Sequence, residues 1–140
     1  MAGLKHIERS IASYIAKHYR NVAEIGVGRN PETALILRDR GVRVFCTEIR
    51  PVPEIPGVRV VCDDIFAPDM ALYRDLDLIY SVRPHEEMMP GLLALAQAVD
   101  CDLLVYHLGF EGFRDGGELV DCGVVIHRYY RSQNPSKRVF

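Results

Sequence analysis

No apolar run in this chain approaches the roughly 20 residues that a membrane helix needs, and the N-terminus lacks the pattern of a signal peptide. No C-x-x-C pair occurs. The four cysteines (Cys46, Cys62, Cys101 and Cys122) are scattered, and three lie in or beside apolar runs. That reads as buried free thiols in a reducing cytoplasm, not as a disulfide frame. Net charge is only −2, so no broad field draws in nucleic acid or a membrane surface. Internal repeats, linkers and low-complexity segments are also missing. What is present is 140 residues, 49% of them hydrophobic and 26% charged, which suits one globular domain. A chain of this size buries about two thirds of its unfolded surface, enough for a core without staples.

The stretch that organises the rest is NVAEIGVGRNPETALILRD, residues 21–39. Residues 22–25 are apolar without a helical period and suit a buried strand. Gly26 to Asn30 form a tight turn, and Pro31 opens a helix that Gly41 closes. Asn30 suits the N-cap. Such a turn aims free backbone N–H groups and a helix start at whatever lies above the strand. A dinucleotide fingerprint wants G-x-G-x-x-G, and here Pro31 occupies the third glycine position. Glu24 two residues before Gly26, followed by G-x-G, resembles motif I of class I S-adenosylmethionine-dependent methyltransferases. Asn30 stands where that motif has its third glycine, and asparagine tolerates left-handed backbone better than most residues.

The remaining chain alternates between strands and helices. Residues 4–20 read as an amphipathic helix with Ile7, Ile11, Tyr14 and Ile15 on one face. Residues 42–47 form a β-branched second strand ending at Glu48, about 20 residues beyond Gly28, where a carboxylate can accept both hydroxyls of a ribose. Residues 50–57, with three prolines and a glycine, make an irregular loop. Strands follow at 58–62, 76–81, 103–108 and 124–130, helical turns at 67–74, and a helix at 92–99. Residues 109–117 read as a Gly- and Asp-rich loop. Residues 131–140 form a basic tail expected to fray. Arg128, Arg131, Lys137 and Arg138 beside Tyr129 and Tyr130 raise an RNA reading, but four charges on a chain of net −2 favour a solvated terminus.

This pattern calls for a three-layer α/β sandwich with a mostly parallel sheet of about six strands, a single Rossmann-like domain over residues 1–130. In such sheets ligands sit beyond the carboxyl ends of the strands, where the strand order reverses. The glycine turn, Glu48, Asp63, Asp64 and Arg83 all fall at strand C-termini. They point to an adenosine-type ligand across the first, second and fourth strands. Asp63 and Asp64 without a neighbouring histidine make a poor metal set, so no metal is expected.

EIGVGRNPETA, VCDDIFAPDMALYRDLDLIYSVRP and DLLVYHLGFE resemble, over nearly the whole length, a family of short archaeal proteins of unknown function. The resemblance implies a Rossmann-like, methyltransferase-type fold. It leads to the expectation of an S-adenosylmethionine site in which Gly26, Gly28 and Asn30 lie under the ligand. Glu24 would favour its ammonium, Glu48 hold the ribose, and Asp63 and Asp64 read the adenine edge, with Ile65 or Phe66 covering its face. Arg83 would orient an anionic substrate, with His85 or Glu86 as a base. The alternative is a non-catalytic adenosine-ligand sensor or a protein partner's subunit. A nicotinamide-cofactor enzyme comes third, disfavoured by Pro31 and Glu24.

Overall fold

The structure, a computed structural model, describes residues 2–109 and 112–137. Helix α1 spans Ala2–His18 and leads through a two-residue link into β1, Asn21–Ile25. Helix α2 (Glu32–Asp39), β2 (Arg43–Glu48) and β3 (Arg59–Cys62) follow. A 3-10 turn at Met70–Tyr73 precedes β4, Leu78–Val82. Another at Glu86–Met88 runs into α3, Met89–Val99, where Pro90 is tolerated in the first turn. The chain ends with β5 (Asp102–Tyr106), β6 (Glu118–Asp121) and β7 (Val125–Tyr130).

The seven strands form one sheet in the order β3-β2-β1-β4-β5-β7-β6. Strands β1 to β5 pair in parallel, and β7 returns antiparallel to β5 with β6 on its outer edge. The sheet therefore has one strand more than the sequence suggested. β6 is only four residues long and follows glycines 116 and 117, so a loop was the natural reading of that region. The expected loop at 109–117 includes residues 110 and 111, which lie outside the described residues.

Alternation along each strand builds two apolar layers. Ala23, Ile25, Ile79, Leu103 and Val105 face α3 and meet Leu92, Leu95 and Ala96. Val22, Leu78, Tyr80, Leu104 and Ile126 face the other way and meet Ile11, Ala12 and Ile15 of α1 and Leu37 of α2. Strand order reverses between β1 and β4, which puts the crevice for a ligand beyond the ends of those two strands.

The basic tail does not hang free over residues 131–137. Asp102 accepts the backbone N–H of Ser132 at 2.7 Å, and Asp100 accepts that of Gln133 at 2.9 Å. Lys137 donates to the Val99 carbonyl at 2.7 Å, capping the end of α3. Arg128 pairs with Asp102 and Glu118, and Arg131 with Glu118, so the charges of the RNA reading are partly neutralised at home. Arg138 and the end of the tail lie outside the described residues.

Candidate functional site

Past β1 the chain enters the glycine turn in left-handed backbone, with φ of +73° at Gly26 and +58° at Gly28. A Cβ at Gly28 would meet nothing within 4 Å, so the space above the turn is open. The N–H groups expected to point into that space are largely used. Gly26 and Val27 both donate to the Thr47 carbonyl, at 3.0 and 3.1 Å. Gly28 donates to Glu48 Oε1 at 2.8 Å. Asn30 takes no left-handed conformation, and the N-cap of α2 is Pro31 and not Asn30; the Asn30 side chain accepts the Glu32 N–H at 3.2 Å in the turn before the helix.

Glu48 is half-buried, and it does more than wait at a strand end. Besides Gly28, its other oxygen accepts Ile49 N–H at 3.1 Å and Arg50 N–H at 3.4 Å. The carboxylate thus clamps the glycine turn to the end of β2. A carboxylate offers about four lone-pair sites, so room remains for a ligand hydroxyl.

Glu24 is not where the sequence reading put it. By alternation it shares a face with Val22 and turns toward α1, and its register partner is Tyr80 of β4. It is 2% exposed and accepts the Tyr80 hydroxyl at 2.7 Å. Burial pushes its carboxyl up to about 8; the Tyr80 hydrogen bond opposes this and nearby Glu8 adds to it. It braces the turn from behind and is closed off from any ligand ammonium.

Beyond β3, Asp63 spends both oxygens on its own loop, accepting Asp69 N–H at 3.0 Å and the Tyr73 hydroxyl. Asp64 accepts Phe66 N–H at 2.9 Å through one oxygen. Of the two, Asp64 retains more capacity for an adenine edge. Ile65 is buried against α3, whereas Phe66 is 64% exposed, which singles out Phe66 as the residue available to cover a base. Among the described residues no three His, Cys, Asp or Glu side chains gather as for a metal.

Beyond β4, Arg83 adopts a left-handed φ of +54°, unusual for a residue with a long side chain. Three contacts hold it: its N–H donates to the Tyr106 carbonyl at 2.7 Å, its guanidinium lies 5.2 Å from the Tyr106 ring centroid, and its Nη1 donates to Glu8 at 3.2 Å. The sequence reading assigned Arg83 to an anionic substrate. Its ion-pair partner within the chain is Glu8 of α1, buried at 2% exposure. Arg83, His85 and Glu86 line a cavity of about 530 Å³ with Met89, His107 and Phe113. His107 was missed in the sequence because the fifth strand was read through to residue 108; β5 ends at Tyr106 and leaves His107 just past the strand end.

With this geometry in view, comparison with known proteins is decisive about kinship. The model of UPF0146, an uncharacterised protein family, matches residues 7–115. The chain belongs to the UPF0146 family. A family member from Archaeoglobus fulgidus is 39% identical over 98 residues, covering 68% of this chain and 74% of the relative. One from Pyrococcus horikoshii is 33% identical over 126 residues, covering 85% and 96%. Among solved structures, a SAM dependent methyltransferase from Archaeoglobus fulgidus superposes with a TM-score of 0.57 at 18% identity, over 76% of this chain and 54% of that one. Magnesium protoporphyrin IX methyltransferase from Synechocystis PCC 6803, solved with bound SAM, gives 0.59 at 14% identity, over 85% and 71%. These likenesses establish a Rossmann-like, methyltransferase-type fold. The chain spans about half the length of the first of these enzymes.

Proposed function

We propose that this UPF0146 protein binds S-adenosylmethionine or its demethylated product across the carboxyl ends of β1, β2 and β4, with the adenine reaching the loop past β3, as a minimal methyltransferase-like protein. The observation that carries the reading is the Glu48–Gly28 clamp, which fixes a carboxylate beside an open, left-handed glycine turn. The residues present fit the ligand over its nucleoside half. Glu48 would accept one ribose hydroxyl, Asp64 an adenine amino group, and Phe66 and Ile49, both exposed, would flank the base. Gly26 and Gly28 let the backbone approach closely, since a side chain at either would be strained.

When bound, S-adenosylmethionine would supply a methyl group already activated as a sulfonium, so the protein chiefly aligns and excludes water. This chain's share falls to Arg83, set to orient an anionic substrate, with His85 and Glu86 at the same cavity. A second reading, a non-catalytic adenosine-ligand sensor or partner subunit, draws on one observation. Ile49, Phe66 and Leu108, each just past a strand end, are exposed apolar residues on the ligand side, as a docked protein would require.

A thermal-shift series with S-adenosylmethionine, S-adenosylhomocysteine, NAD and ATP tests the proposal. A ligand at 100 times its dissociation constant stabilises by roughly 2.7 kcal/mol. The sulfur nucleosides should raise the melting temperature and NAD should not. No shift with either sulfur nucleoside at millimolar concentration would remove the cofactor reading.

A further inference from the structure

The cavity past β4 and β5 carries two opposite charges, Arg83 and Glu86, that the protein itself leaves partly unused. Both stand in the loop that runs from β4 into α3. The Arg83 guanidinium turns its face toward the Tyr106 ring, 5.2 Å from the centroid, and Nη1 donates to Glu8 at 3.2 Å. Nε and Nη2 meet no acceptor among the described residues. Those two N–H groups form the side-on edge of the fork, the pair that matches both oxygens of a carboxylate. Because Glu8 is 2% exposed, the anchored Nη1 fixes where that free edge sits.

A non-glycine residue held at φ +54° at a cavity lip is strain of the kind that clusters at binding sites. Glu86 is exposed, and no cation pairs with it among the described residues. Pro84, Met89, Leu108 and Phe113 give the cavity apolar sides. His107 closes another part of the wall, with the Tyr129 hydroxyl 2.6 Å from its Nε2. A volume of about 530 Å³ admits a small molecule with one ring. An anion alone would meet Glu86 as a like charge, and a cation alone would meet Arg83 so. A ligand with both charges on neighbouring atoms and an apolar remainder suits all three features.

We infer that this cavity binds a free α-amino acid with a large apolar side chain. Its carboxylate lies on the Nε–Nη2 edge of Arg83, its ammonium toward Glu86, and its side chain against Met89 and Phe113. The inference deepens the substrate side of the proposed function. It rests on that reading for the ligand's role as methyl acceptor, and on the cavity alone for binding. It also assigns Glu86 to binding, where the sequence suggested a base.

The test is calorimetric titration of the full chain with three probes. These are L-phenylalanine, 3-phenylpropionate, which lacks the ammonium, and 2-phenylethylamine, which lacks the carboxylate. L-phenylalanine should bind saturably at millimolar concentration, about fivefold tighter than either of the others. Glu86→Gln should fold like the parent and weaken L-phenylalanine about fivefold, yet leave 3-phenylpropionate within about twofold. Arg83→Lys keeps a cation against Glu8 but gives up the side-on edge, and should weaken L-phenylalanine about tenfold. No saturable heat with L-phenylalanine, equal binding of 3-phenylpropionate, or a Glu86→Gln loss common to both ligands would overturn the inference. S-adenosylhomocysteine is itself an amino acid, so the titration is repeated in its presence. L-phenylalanine should still bind. Its exclusion would make the cavity the amino-acid end of the cofactor site, sinking this inference alone. L-phenylalanine binding to a chain that takes no S-adenosylhomocysteine would sink only the cofactor reading.

Discussion

Tyr80 donates its hydroxyl to Glu24 at 2.7 Å in the middle of the sheet, on the face turned away from α3. The pair comes from paired positions on β1 and β4, the two strands at which the strand order reverses. The acidic residue that marks the glycine motif in sequence therefore braces its base.

A pH dependence follows from that burial. Burial raises the Glu24 carboxyl to about 8, with the Tyr80 bond opposing and Glu8 reinforcing. The unfolded chain ionises near the ordinary carboxylate value while the folded chain stays protonated, so folding binds the extra proton. Stability should fall as pH rises through that window, from about 4.5 to about 8, and level off above it. Glu24→Gln should flatten this slope, gaining on the parent by on the order of 1–4 kcal/mol between pH 5 and pH 8. Urea unfolding of both proteins at several pH values measures it, and parallel slopes would contradict the assignment.

The Arg83–Glu8 pair joins the first helix to the lip of the cavity. Arg83→Ala strands a buried carboxylate, a change that costs about 3–5 kcal/mol where the pair is fully buried and less here, because Arg83 is 25% exposed. A loss of about 2 kcal/mol is expected, with the double variant Glu8→Gln, Arg83→Ala recovering part of it. Chemical denaturation of the four-member cycle reads the coupling. Strict additivity would show that the pair contributes nothing.

Gly28 gives a cleaner backbone probe than Gly26, since Gly26 also faces the Met88 methyl at 3.1 Å from a built Cβ. Gly28→Ala meets only the left-handed strain, about 1–2 kcal/mol. Gly28→Asn should cost less than Gly28→Ala, and thermal unfolding of the two variants ranks them. Equal costs would mean that the turn relaxes out of its left-handed form.

Removing residues 132–140 should lower stability by about 1–2 kcal/mol, as typical hydrogen bonds from Ser132, Gln133 and Lys137 are lost. A melting temperature several degrees lower is the expected reading. An unchanged melting temperature would return the whole tail to the frayed state.

The fold was legible because period and punctuation agreed. VAEI, VRVFCT and LDLIYS read as buried strands, and Pro31 and Gly41 bracketed α2. β6 escaped because four residues after paired glycines carry too little period to register. At the site, the sequence identified which residues stand at strand ends but not which way they point. Glu24 and Glu48 look alike as strand-end acids. Glu24 lies level with Cys46, inside the sheet and against Tyr80, whereas Glu48 comes two positions later, past the last paired residue of β1 and beside the turn. The partners of Arg83 and His107 were invisible for another reason: Glu8 and Tyr129 lie 75 and 22 residues away and arrive only through the α1 packing and the return of β7.

Glu48 carries the central claim, and calorimetric titration of S-adenosylhomocysteine into the parent and into Glu48→Gln tests it most directly. The amide oxygen that Glu48→Gln introduces can still accept the Gly28 N–H, while its NH2 gives up the Ile49 and Arg50 N–H groups, so the turn should survive at a cost of about 1–2 kcal/mol. Glu48→Ala is the poorer probe, because it abandons three backbone N–H groups that Glu48 now holds. The parent should bind one equivalent, and Glu48→Gln should lose one charge-assisted hydrogen bond to the ribose, worth on the order of 1.5–3 kcal/mol or roughly 10- to 150-fold in affinity. Binding by Glu48→Gln within about threefold of the parent, or no heat from the parent at millimolar ligand, would contradict the adenosine site at the end of β2.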